Sequence, residues 1–188
     1  MATSLPSSRE ALRRRIRLAR GLDPVDLLVV NAKIMHVLSG EVLPGSMAIA
    51  QGEVVGFGDY EAVQILDARG RVCCPSFLDG HVHLESSLLA PNEFARVAAS
   101  HGTAAVVCDP HEIANVTGWS GVAYFLAAAD LLPLSIYLMA PSCVPATHME
   151  TAGARLDAVD VRRMLATRPD RILGLAEMMN FPGVLAGV

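Results

Sequence analysis

The chain has 188 residues, 52% of them hydrophobic and 18% charged, with a mean hydropathy of +0.40, a balance that excludes a disordered chain and predicts a packed core. Its net charge of −4 gives no general attraction to nucleic acid. The four cysteines (Cys73, Cys74, Cys108 and Cys143) have no C-x-x-C spacing and are read as reduced thiols.

Charge is unevenly placed along the chain. Six of the fifteen basic residues fall between Arg9 and Arg20 beside one acid, Glu10, whereas residues 21–188 hold 9 basic and 18 acidic residues. Leu12, Ile16 and Ala19 recur on one helical face with arginines on the others, which predicts a basic amphipathic surface helix within residues 1–22. A transit peptide is the alternative for a basic, Ser-containing start. The lack of a following apolar stretch or cleavage-like segment argues against it.

Residues 23–70 read as part of a small β-sandwich domain. Short apolar runs at Asp26–Val30, Ala32–Val37, Ser46–Ala50, Glu53–Gly58 and Gln64–Asp67 are separated by Gly40, Pro44–Gly45 and Gln51–Gly52, which punctuate strands.

From residue 71 the rhythm changes to strands alternating with helices: strand Arg71–Leu78, helix Ala90–Ser100, strand Thr103–Cys108, helix Trp119–Asp130, strand Leu134–Met139, helix Asp157–Ala166 and strand Arg171–Ala176. Val122–Ala140 is apolar enough to suggest a membrane span, but Asp130, Pro133 and Ser135 divide it into a helix and a buried strand. The alternation predicts an α/β fold with a parallel sheet covered on both faces, doubly wound or barrel. No G-x-G-x-x-G or P-loop supports a nucleotide fold. A (β/α)8 barrel needs about 250 residues, so residues 71–188 supply its first four βα units, and the chain is expected to be a fragment with no closing helix after the fourth strand.

The chemistry-bearing residues cluster at strand ends. After the first strand comes Asp79-Gly80-His81-Val82-His83-Leu84-Glu85-Ser86. In extended chain His81, His83 and Glu85 share a face about 7 Å apart, and two imidazoles there can hold one metal ion. The plain alternative is a polar strand end with solvated histidines. After the second strand, Asp109, His111 and Glu112 can reach the same mouth, or Asp109-Pro110 can simply open a turn with Glu112 starting a helix. Ala140–Pro145 reads as a pocket wall. After the fourth strand, Glu177 would be a costly unpaired carboxylate in a low-dielectric mouth unless a cation meets it. Cys108 and Cys143 lie near the mouth, with no base in the sequence pattern to make either a nucleophile.

With these residues in place, the sequence resembles the amidohydrolase superfamily and, within it, the adenine deaminases. The blocks that carry the resemblance are Gly80–Ser87, Asp109–Val116, Pro141–Thr147, Glu150–Ala154 and Gly174–Val184, in that order. The resemblance implies the N-terminal half of a (β/α)8 metal-dependent hydrolase barrel, preceded by part of a small β-sandwich domain. It implies two divalent metal ions, manganese first and iron or zinc as alternatives, with His81 and His83 on one ion and Glu177 bridging the pair. It implies hydrolytic deamination of adenine to hypoxanthine and ammonia. Further His ligands and the catalytic Asp are expected beyond residue 188, which makes this chain inactive alone.

Glu85, Ser86, Asp109 and His111 are candidates for the substrate pocket or for supporting the ligands. The expected partner is a small purine, with no nucleic acid and no membrane. A homo-oligomer at full length and a cytoplasmic location complete the expectations. The alternatives are a catalytically dead half-barrel that binds metal or a partner, and a hydrolase of another cyclic amidine or amide.

Overall fold

A computed structural model describes residues 8–187. The chain divides into two compact units, one ending at Pro75 and the other starting at Ser76.

The first unit starts with helix α1 (Ser8–Ala19), whose Leu18 is buried together with Val25, Leu28, Ala48 and Ala50. Residues 1–7 of the predicted basic helix lie outside the described residues. A mixed sheet follows, made of β1 (Val25–Met35), β2 (Val42–Ala50), β3 (Glu53–Phe57), β4 (Ala62–Asp67) and the short β5 (Val72–Cys73). The order is β3-β2-β1-β4, with β5 also on β1. The two runs expected on either side of Asn31 are one strand. Asn31 takes a left-handed φ of 53° where the register with β2 shifts, so the strand bends there instead of ending.

Pro44–Gly45, expected as a turn, lies inside β2 opposite Lys33 and Ala32. Proline is tolerated because β3 pairs only with Met47–Ala50, which leaves the Pro44 stretch as a sheet edge needing no N–H.

The expected strand Arg71–Leu78 is two strands. Val72–Cys73 pairs with β1, and after Pro75 the chain enters β6 (Phe77–Val82) of the second sheet. Proline removes a donor and restricts its predecessor, and so breaks the run.

The second unit continues with α2 (Pro91–Ser100), β7 (Thr103–Cys108), α3 (His111–Thr117), α4 (Trp119–Ala129), β8 (Ser135–Ala140), α5 (Ala158–Thr167), β9 (Ile172–Leu175) and α6 (Phe181–Ala186). The stretch that invited a membrane reading is thus a helix followed by a strand. Among the described residues no helix is long and apolar enough to cross a membrane. Helix α6, where no helix was expected, is capped by the Asn180 side chain and ends at Gly187 in the left-handed region.

All four strands are parallel in the order β6-β7-β8-β9. Sequential order with no reversal is the winding of a barrel and not of a doubly wound sheet, whose order reverses at a switch point. Right-handed crossovers then put the connecting helices α2–α5 on one face. Val106, Cys108, Ile136, Leu138 and Ile172 accordingly share one core with Ala95, Ala114, Val122, Phe125, Leu126 and Met164 of the helices. In β8 burial alternates strictly, with Ile136, Leu138 and Ala140 buried and Ser135, Tyr137 and Met139 half-buried. Of the two windings the alternation left open, the strand order is that of a barrel, with α2–α5 packed on one face of the sheet. The carboxyl ends of the strands form a common edge, and the candidate site lies there.

Candidate metal centre

His81 lies at the end of β6 and His83 just beyond it. Their Nε2 atoms approach to 3.2 Å, with ring centroids 5.0 Å apart in an edge-on arrangement. Extended chain places both on one face, as the spacing required. It does not continue to Glu85. Leu84 is buried and begins a 3-10 turn, Leu84–Ser87, that swings the next carboxylate away. Glu85 Oε1 instead accepts the Ile113 N–H at 3.0 Å, while its Oε2 is buried without a hydrogen-bond partner. Burial pushes the Glu85 carboxyl above its ordinary range, against the Ile113 bond. Ser86 is exposed on the same turn, and its N–H donates to the His83 carbonyl at 3.1 Å.

Strand β7 delivers Asp109, whose N–H is held by the Val82 carbonyl at 2.9 Å. Asp109 is fully buried: one carboxylate oxygen faces His111 Nδ1 and the other accepts the Glu177 N–H at 3.1 Å. Burial disfavours its charge, yet His111 and the Glu177 N–H hold the carboxyl below the usual range. His111, the first residue of α3, is 4% exposed. Burial alone would push it down, and Asp109 reverses that and raises it.

Glu177 follows β9. Its Oε1 is 3.4 Å from His83 Nε2, and its Oε2 is 3.8 Å from His81 Nε2. One ligand atom each from His81, His83, Asp109 and Glu177 lies within 4.8 Å of the others. Four residues from three strand ends thus converge. Sequence reasoning placed Asp109 only among the supporting candidates, because its approach to Glu177 is a product of the fold.

Two side chains that the sequence places only near the mouth make specific contacts in the structure. Glu112 Oε2 lies 3.0 Å from His83 Nδ1. Burial opposes a charge on His83, but this carboxylate, with Asp109 and Glu177, raises it above its ordinary value. Cys143, thought to lack a base, has one: its Sγ is 3.7 Å from His111 Nε2 and accepts the Met179 N–H at 3.3 Å. The thiol is buried, and these donors hold it below the ordinary range despite burial. Burial pushes the Cys108 thiol up to about 12, as suits a core residue.

A cavity of about 400 Å³ opens beside the cluster, bounded by His83, His111, Asn115, Glu150 and Met179. A hollow of about 610 Å³ between α4 and α5, lined by Trp119, Arg163 and Met164, contains none of these groups. Two imidazoles and two carboxylates suit zinc, iron or manganese, and two Nε2 atoms so close repel unless a proton or cation lies between them.

A sequence profile of the amidohydrolase family matches residues 72–184. An adenine deaminase of Oleidesulfovibrio alaskensis is 59% identical over 167 residues, covering 89% of this chain and 29% of the relative. An adenine deaminase of Syntrophobacter fumaroxidans is 52% identical over 174 residues, covering 93% and 30%. The chain therefore spans about three tenths of the length of these curated relatives.

Among solved structures, atrazine chlorohydrolase TrzN from Arthrobacter aurescens, complexed with zinc, superposes with a TM-score of 0.57 at 15% identity over 77% of this chain and 43% of that one. N-acyl-D-glutamate deacylase from Bordetella bronchiseptica, complexed with zinc and a phosphonate inhibitor, gives 0.55 at 17% identity over 87% and 40%. At such identity these two structures speak for the fold alone.

Proposed function

The chain belongs to the amidohydrolase family, and from that premise we propose that His81, His83, Asp109 and Glu177 hold a divalent metal centre for the hydrolytic deamination of adenine to hypoxanthine and ammonia. The observation that carries the reading is the convergence of their four ligand atoms within 4.8 Å at the carboxyl edge of the parallel sheet. The substrate is taken from the relatives, which are adenine deaminases.

His81 and His83 present imidazole nitrogens to one ion. Glu177, with one oxygen toward each histidine, is suited to bridge a pair. Manganese is the ion of choice in this reading, with iron or zinc as substitutes. Bound divalent metal lowers the pKa of a water ligand and supplies hydroxide at neutral pH.

The protein groups do the rest. Asp109 keeps its charge because His111 and the Glu177 N–H bond it. The adjoining cavity offers a flat purine the apolar side of Met179 and Ala146, with Asn115 and Glu150 for ring nitrogens. On this reading the further His ligands and the acid/base Asp come from sequence beyond the fourth strand. The 188-residue chain then binds metal without turning adenine over.

The test is ammonia release by the coding sequence expressed to its own stop codon and charged with manganese, assayed with adenine, adenosine, guanine and dihydroorotate. Release selective for adenine supports the reading. Release from another of these substrates, or from none, overturns it.

A further inference from the structure

We infer that Glu112 is a positioning residue: it holds His83 in the Nδ1–H tautomer and so turns the lone pair of Nε2 toward His81 and Glu177. The inference rests on the metal reading above for its consequence, but its geometry stands by itself.

The 3.0 Å contact between Glu112 Oε2 and His83 Nδ1 has one sense only. An ionised carboxylate accepts and cannot donate, so the hydrogen must sit on Nδ1. A neutral imidazole then carries its free lone pair on Nε2. That atom lies 3.2 Å from His81 Nε2 and 3.4 Å from Glu177 Oε1, at the centre of the cluster. A carboxylate behind a ligating imidazole fixes the ring's orientation and raises its basicity.

The carboxylate is itself held. Glu112 lies in the first turn of α3, and the next N–H, that of Ile113, is bonded to Glu85 Oε1 at 3.0 Å. Glu85 belongs to the turn that starts directly after His83. The loop carrying the imidazole and the helix carrying its acceptor are thereby tied at two points. This also gives a structural use to Glu85, which extended geometry had placed beside the histidines.

The experiment uses the 188-residue chain labelled with 15N, with wild type, Glu112→Gln and Glu112→Ala compared. Two-bond 1H–15N correlations at alkaline pH, where the ring is neutral, report which nitrogen of His83 carries the hydrogen. Titration with Zn²⁺ reports the affinity of the cluster. Wild type is expected to show the Nδ1–H form. Glu112→Ala is expected to lose that bias and to weaken Zn²⁺ binding roughly 10–100-fold. Glu112→Gln, whose amide oxygen still accepts, is expected to keep the tautomer and to fall between the two in affinity.

Replacement of an exposed side chain should leave the fold intact, and Glu112→Gln gives the comparison if Glu112→Ala misfolds. An Nε2–H tautomer in wild type overturns the inference, as does unchanged Zn²⁺ affinity in Glu112→Ala. If wild type takes up no Zn²⁺, the metal reading fails and the tautomer alone decides the role of Glu112.

Discussion

The backbone N–H of Glu177 donates to the Asp109 carboxylate at 3.1 Å, a bond that links the carboxyl ends of β7 and β9 across the intervening β8. The other oxygen of that carboxylate is spent on His111, so one buried side chain fixes a loop and an imidazole together. Asp109→Ala leaves His111 buried without its partner and frees the Glu177 loop. The expected cost is about 3–5 kcal/mol of stability, read from the urea midpoint. Asp109→Asn, which can still accept from Glu177, should cost less.

Gly153 sits where the chain after β8 crosses α3. Its N–H donates to the Asn115 carbonyl at 2.9 Å, and a Cβ at this position would fall onto the Val116 carbonyl oxygen. Backbone cannot move aside as a flexible side chain can. Gly153→Ala should therefore destabilise by about 1–3 kcal/mol, seen as a lowered urea midpoint with an unchanged slope. Gly80→Ala, where a Cβ meets nothing within 4 Å, provides the contrast.

Helix α5 depends on a reciprocal cap. Asp157 accepts the N–H groups of Val159 and Asp160, while Asp160 accepts the Asp157 N–H at 3.1 Å. These bonds, from the Asp160 and then the Val159 backbone, hold the Asp157 carboxyl below its ordinary value. A lowered carboxylate pKa contributes stability that is present above the unfolded value of about 3.9, and loses it as pH falls through the lower folded value. Asp157→Asn should therefore lower thermal stability at neutral pH. The difference from wild type should shrink as pH falls below that of an ordinary carboxyl.

What the sequence disclosed and what it concealed have the same physical basis. His81 and His83 were legible because period-2 alternation after an apolar run is a local signal. Glu177 was legible because a carboxylate at an apolar strand end needs a partner. Glu85 was misplaced since the extended reading carried on past Leu84, and only the burial of that leucine shows where the chain turns. The Glu112–His83 contact depends on how closely α3 approaches the segment after β6, and the Cys143–His111 contact on how closely it approaches the loop after β8, which no spacing encodes. Helices on a single face likewise follow from strand order and not from hydrophobic pattern.

Metal uptake by the cluster is the most direct measure of the proposed centre. The metal-stripped chain, titrated with Zn²⁺ and with Mn²⁺, should bind, and X-ray absorption of the Zn²⁺ form should show two imidazoles with oxygen ligands. His81→Ala, His83→Ala and Glu177→Gln should each weaken binding by more than the roughly 10–100-fold that loss of a supporting residue costs. No uptake by the folded wild type, or uptake that survives the loss of both histidines, would contradict it.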